Sequence, residues 1–391
     1  MVPRAGRVRL WLRRLGGFGR RDRAAGIALS GATVVAMVWA NVAWSSYRDL
    51  WRAVPPLPGP LDLGFSLRNW VEQGAMTGFF ALVGLEIRRE ISAGELRSWR
   101  RASVPIAAAL AGMAVPAAIY AFVVAGSLGG RGWGIPMATD VAFAVGALAL
   151  VVGGRPRLRV FLMTLAVADD IASVVLLVVF YNVGLDPVWV ALGLAALGAM
   201  AAVESVEPAW GRIEMVLGCV AWWALARGGV EAAVVGVPIG ALALPSRLSS
   251  TAVGRQGPRG WEERITPWVN LGVLPLFALA DAGLHLADVD FSSSGALRVF
   301  TAIVLARVIG KPLGVATAAR ALRRIPSGHY DARIDRRDIV GIGVLAGMGF
   351  TVPLLIVHAA LPAGPLADSA ILGLLCATVV AAASGAVVLR Q

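Results

Sequence analysis

Apolar stretches long enough to cross a membrane recur from one end of this chain to the other, and no other feature limits its possible folds so severely. Inside a bilayer every backbone N–H and C=O needs an internal partner, which leaves α-helices and closed barrels. A spanning helix takes about 20 apolar residues and a barrel strand about 10, and these runs have helix length. Twelve spans are predicted, at roughly 26–45, 72–88, 102–125, 133–153, 158–181, 187–203, 212–226, 229–245, 267–285, 297–320, 338–360 and 366–389. The class this implies is an all-α polytopic membrane protein.

Of the 391 residues, 58% are hydrophobic and 15% charged, more apolar surface than a soluble domain hides in its core. The net charge of +12 does not indicate a nucleic-acid partner, because the arginines sit in short gaps between apolar runs and form no continuous basic face. The surrounding partner is membrane lipid. Cys219 and Cys376 lie far apart, without CxxC or Cys/His spacing, so neither reads as a disulfide or a metal ligand, and no resident cofactor is expected.

Cytoplasmic loops collect arginine, and "RREISAGELRSWRR", "GGRPRLR" and "RALRRIPSGHYDARIDRRD" fall on one side, with "YNVGLDP" and "LPAGPLADS" on the other. Residues 1–25 are then a basic cytoplasmic tail, 26–389 the transmembrane region, and both termini cytoplasmic. The external stretch 46–69 is too long and too rich in Pro and Gly for a simple turn.

Ionisable groups at membrane depth cost several kcal/mol unless partnered, so they mark function. They are Asp140 in "GIPMATDVAFAVG", Asp169 and Asp170 in "TLAVADDIASVV", and Arg307 and Lys311 in "LARVIGKPLGVA". Asp281 and Glu231 fall near predicted helix ends and read as interfacial, as do His285, His329 and His358. Adjacent carboxylates must share positive charge, a proton or a cation. That coupling is what a proton-linked cation carrier requires. Neighbours on a helix point about 100° apart, so one aspartate takes a partner while the other faces a cavity. Arg307 lies one turn before Lys311 on the same face, and nothing in the sequence supplies it with a partner.

Two spans look interrupted: the fourth at "GWGIPMATD" and the eleventh at "GVLAGMGFTVP". Gly/Pro-interrupted spans in corresponding places of two halves point to inverted-topology repeats around a midplane ion site. If the two interruptions cross, like helix ends meet, and Asp140 compensates the positive ends and Lys311 the negative ones. Thr139 adds a hydroxyl oxygen for a small cation.

The blocks "FFALVGLEIRREISAGEL", "GWGIPMATDVAFAVGALAL", "FLMTLAVADDIA", "WVNLGVLPLFALADAG", "GKPLG" and "GMGFTVPLLI" occur in order, and with them the chain resembles the NhaA-type sodium/proton antiporter family. That family is itself an example of inverted-topology repeats. The resemblance implies twelve helices with crossed discontinuous helices 4 and 11. It also implies electrogenic, pH-dependent exchange of Na+ or Li+ for H+ in the bacterial inner membrane, serving sodium and pH homeostasis. By matching motif, Asp169 and Asp170 alternate between the transported Na+ and protons, and Lys311 pairs with Asp169. Glu86, Arg89, Glu90 and Glu262 take part in the pH response, and the 46–69 loop matches a hairpin at a homodimer contact.

The chain departs from the family pattern in three places. It reads Ile171, Ala172 and Ser173 after Asp170, Asp281 in "ADAG" where Asn is usual, and Glu231, Glu263 and Thr266 in a region where the family has histidines. Two alternatives follow: a carrier of this fold with altered ion or coupling, or an intramembrane aspartyl protease. The protease would need its aspartates on separate helices.

Overall fold

The computed structural model describes residues 4–56, 59, 62–93, 99–151, 155–182, 184–206, 211–242, 258–292, 294–322 and 335–390. His329 and the arginine-rich loops at 243–257 and 323–334 lie outside them. Among the described residues every regular element is helical. Five helices are by themselves long and apolar enough to cross a membrane: Arg23–Val42, Ile106–Val124, Leu158–Phe180, Gly295–Ala321 and Pro365–Arg390. A sixth span is a bent pair, Arg336–Ala346 and Thr351–Ala360, with 47° between its halves.

Several predicted spans are locally irregular or subdivided, and proline accounts for part of this. A proline has no N–H to donate to the fourth residue back, and its ring presses on that carbonyl; a wider turn relieves both. Ala306–Gly310 is such a π-turn, ahead of Pro312, and Val269–Val273 is another, ahead of Pro275. In the fourth span Leu128–Gly134 is a 3-10 helix, Pro136 ends the ladder, and the α-helix resumes only at Val141–Val151. The first helix of the eleventh begins on a capping box, with Asp335 and Asp338 satisfying each other's backbone, and ends at Gly347.

A single helix runs from Arg4 to Val42, and the part of it long and apolar enough to cross a membrane is Arg23–Val42, behind the basic residues of the tail. The 46–69 stretch, for which the resemblance implies a hairpin, opens on helix Trp44–Arg52; no strand occurs among its described residues, and Leu67 N–H donates to Ala53 O at 2.9 Å. The pattern there is helical, since buried Tyr47 and Trp51 are four residues apart.

The chain divides into two units. One holds residues 1–31, 100–169 and 289–391, the other 32–99 and 170–288. In the second unit helices Met76–Ala93 and Gly236–Leu242 pack backbone to backbone. A Cβ on Gly84, Gly236 or Gly240 would collide with the carbonyls of Val237, Thr77 and Ala81 respectively. Lipid tails give apolar side chains no reason to seek each other, so close contact through small residues is what holds membrane helices together. Helices Pro187–Val206 and Gly211–Arg227 pair in the same unit around Ala196, Ala221, Leu225 and Val235. In the first unit Pro365–Arg390 packs against Ser294–Leu305 and Arg336–Ala346, and Lys311–Leu322 against Arg336–Ala346. This packing encloses both interruptions.

Candidate functional site

The interruptions of the fourth and eleventh spans meet in the first unit. Asp140 N–H donates to Met348 O at 2.9 Å. Its carboxylate takes up both helix beginnings that face it: Oδ1 accepts from Phe143 N–H (3.2 Å), and Oδ2 from the N–H (3.2 Å) and hydroxyl (2.9 Å) of Thr351. The first turn of each helix carries unsatisfied N–H groups and partial positive charge, so one anion serves two ends. Asp140 is buried, at 3% exposure.

The helix ends of opposite sign fall to a residue the sequence left unassigned. Arg307, fully buried, donates from Nε to Gly347 O (2.9 Å), from Nη1 to Ile135 O (3.2 Å) and from Nη2 to Ala138 O (2.8 Å). These carbonyls close Arg336–Ala346 and follow Leu128–Gly134. The guanidinium lies over Gly349, where any Cβ would collide with it. The assignment of the negative helix ends to Lys311 therefore needs correction, because the carbonyls of 135, 138 and 347 are taken by the planar fork beside it.

Lys311 instead reaches Asp169. Its Nζ lies 2.5 Å from Asp169 Oδ2 and 2.8 Å from Thr139 Oγ1. The Thr139 hydroxyl is also 2.5 Å from Asp169 Oδ2 and 2.9 Å from Ala346 O. It has one proton, which goes either to the carboxylate or to the helix end. Asp169 Oδ1 is buried and accepts no hydrogen bond among the described residues. Asp140, Asp169, Arg307 and Lys311 are the buried charged side chains among the described residues of this unit, two acids and two bases.

Asp170 is the next residue of helix Pro156–Phe180 and begins the part of the chain belonging to the second unit. It is buried, and so is Ser173 three residues on, the same face of the helix one turn later. The Ser173 Oγ makes no hydrogen bond among the described residues, although a serine in a helix ordinarily has a carbonyl one turn back to donate to.

Two polar clusters belong to the second unit. Arg89 is bonded to Glu262 and, at 3.2 Å, to Glu90, and Glu86 lies within coulombic reach of it. The four residues named for the pH response thus come together. Asp281 is not interfacial but 2% exposed, and it pairs with Arg68 at 2.6 Å, which also holds Glu72 at 3.0 Å. Arg68 lies in the 46–69 stretch, 213 residues earlier, which is why nothing in the local sequence around Asp281 announced the pair. Glu231, half-buried, is bonded to Gln73, whose amide oxygen accepts from Ala232 N–H at 2.7 Å. Cys219 and Cys376 are both free.

The family model described as Na+/H+ antiporter 1 matches residues 17–389. The chain belongs to that family. The Na(+)/H(+) antiporter NhaA of Acidovorax sp. (strain JS42) is 39% identical to it, over 98% of this chain and 93% of that protein. Na(+)/H(+) antiporter NhaA 2 of Kineococcus radiotolerans is 38% identical, over 97% and 85% respectively. The NhaA of Cutibacterium acnes is 35% identical, over 95% and 87%. As a member of the Na+/H+ antiporter 1 family the chain is a multi-pass membrane transporter and not an enzyme, and neither the protease nor the altered carrier is favoured.

Proposed function

We propose that the chain exchanges cytoplasmic Na+ or Li+ for external H+ in the bacterial inner membrane, more than one proton per cation, with activity that depends on pH. The observation that carries this reading is the divided Asp169 carboxylate: Oδ2 is held by Lys311 and Thr139, and Oδ1 is buried with lone pairs open. A buried carboxylate oxygen without a donor is costly unless a proton or a cation visits it.

The charges supply a stoichiometry. In the proton-loaded form Lys311 is an ammonium paired with ionised Asp169, and Asp170 keeps its proton. Facing the cytoplasm, Asp170 and Lys311 each lose one proton. The two adjacent carboxylates then hold one Na+, with the Thr139 hydroxyl beside Asp169 as a neutral oxygen. Two protons exchanged for one Na+ move one net charge per cycle. Arginine cannot play the part of Lys311, since it stays protonated at any working pH, whereas a desolvated lysine releases its proton. Competition for the same oxygens couples the fluxes as one bundle rocks against the other.

The proposed frame has twelve spans with both termini cytoplasmic, inverted-topology repeats, helices 4 and 11 crossing at their interruptions, and a homodimer contact through 46–69. Support for the crossing comes from Asp140 and Arg307, each bonded to both interruptions. The Arg89 cluster is proposed to tune the pH response.

Everted membrane vesicles carrying the protein test the reading. A fluorescent pH probe quenched by respiration recovers when Na+ or Li+ is added, and Asp170→Asn abolishes the recovery. If neither ion gives a response anywhere between about pH 6.5 and 9, where shifted buried groups are brought to titrate, the exchange reading is wrong.

A further inference from the structure

Two buried cations one helical turn apart are one more than a carboxylate pair needs, and their surroundings differ. Lys311 contacts groups that change partners with the cargo, a carboxylate and a hydroxyl. Arg307 contacts backbone carbonyls of both interruptions: Ile135 and Ala138 of one, and Gly347 of the other. Carbonyls do not titrate. A group that holds them through a transport cycle must keep its charge throughout, which arginine does and lysine in a desolvated site does not. Geometry makes the same choice, since Nε, Nη1 and Nη2 each reach a different carbonyl and only a planar fork has donors on three nitrogens. The fit is specific: Gly349 leaves room for the guanidinium, and the π-turn Ala306–Gly310 carries Arg307.

We propose that Arg307 is the positioning residue of the exchange site, a fixed charge that holds the carbonyl ends of both interrupted helices while Lys311 serves the carboxylate and hydroxyl beside it. This rests on the exchange reading above and divides its labour between the two cations. The charged groups of this unit that face Arg307 within coulombic reach are Asp140 and Asp169, and Lys311 stands beside it.

The test compares Arg307→Gln, Arg307→Lys and Lys311→Gln in the full-length protein, purified in detergent for thermal unfolding and reconstituted in proteoliposomes for exchange. With no Na+ present, Arg307→Gln is expected to lower the unfolding temperature by a similar amount at low and high pH, and by more than Lys311→Gln does at high pH. In exchange, Arg307→Gln and Arg307→Lys each raise the apparent KM for Na+ about tenfold, because neither side chain has donors on three nitrogens to hold both interruptions. Should Arg307→Gln fail to fold, Arg307→Lys decides through its KM. Loss of transport amplitude alone, with KM unchanged in the folded variant, makes Arg307 a mere brace and overturns the proposal. So does a greater loss of stability in Lys311→Gln than in Arg307→Gln at high pH. Absence of Na+ or Li+ exchange in the unmodified protein would instead defeat the function proposed above, and the unfolding comparison would still decide where the helix ends are held.

Discussion

Asp140→Asn isolates what one carboxylate does for two helices. The substitution keeps shape and removes charge, and its cost follows from the three donors around it. Two helix beginnings lose an anion, each loss amounting to about 1–2 kcal/mol in a buried setting. One amide has a single oxygen, so whichever way it is turned an NH2 group faces a backbone N–H, either that of Phe143 or that of Thr351. A buried donor left unpaired adds about 1–3 kcal/mol. The Thr351 hydroxyl rotates and escapes the conflict, and burying an amide in place of a charge returns about 1 kcal/mol. The sum is a loss of roughly 2–6 kcal/mol. Equilibrium unfolding in mixed micelles, followed by the fluorescence of the 13 tryptophans, measures it. Thr351→Val is the companion variant, expected to lose about 1 kcal/mol with the hydroxyl bond alone. If Asp140→Asn is no less stable than Thr351→Val, the carboxylate does not bridge the two helix beginnings and the electrostatic account of the interruption is wrong.

Gly349→Ala drives a methyl group into the Arg307 guanidinium, and the amount of folded protein in membranes is expected to fall several-fold; Arg307→Ala in the same chain recovers part of it, whereas Arg307→Ala alone does not exceed the unmodified level. Lys311→Arg replaces a group that can release its proton by one that cannot, so Na+-driven proton movement in proteoliposomes should drop at least tenfold with the protein still folded; unchanged exchange would show that Lys311 need not titrate. Glu262→Gln takes the acidic partner from Arg89 and leaves the Asp169 site untouched, so the pH midpoint of exchange should move while maximal rate at the optimum stays within about twofold, as for other losses of a single partly exposed ion pair.

Charges in apolar runs were legible because hydrocarbon offers them no partner, which is why Asp140, Asp169, Asp170 and Lys311 stood out before any fold was known. Thr139 was legible as the hydroxyl beside Asp140. Arg307 was visible as a charge but not as a contact. Its acceptors are backbone carbonyls 40, 169 and 172 residues away in sequence, freed only because two helices stop, and carbonyls leave no mark on a side-chain pattern. The signal available was indirect: a lone arginine at depth together with the glycines at 347 and 349. Asp281 was misread for a related reason, since counting from the end of a span says how near water a residue lies along the chain, not what packs over it. The helix that opens the 46–69 stretch went unread, although the four-residue spacing of Tyr47 and Trp51 carries its signal.

The seat of Arg307 over Gly349 also constrains ancestry. An arginine at 307 is tolerated only where 349 is already glycine, and once the arginine is installed the glycine can no longer acquire any side chain. The glycine has to come first, and losing the arginine later does not release it, since a Cβ at 349 would still meet the Ala138 carbonyl at 2.7 Å. Position 349 is thus held twice over, once by the guanidinium and once by the backbone of the other interruption, and only the first of these can be lost by substitution.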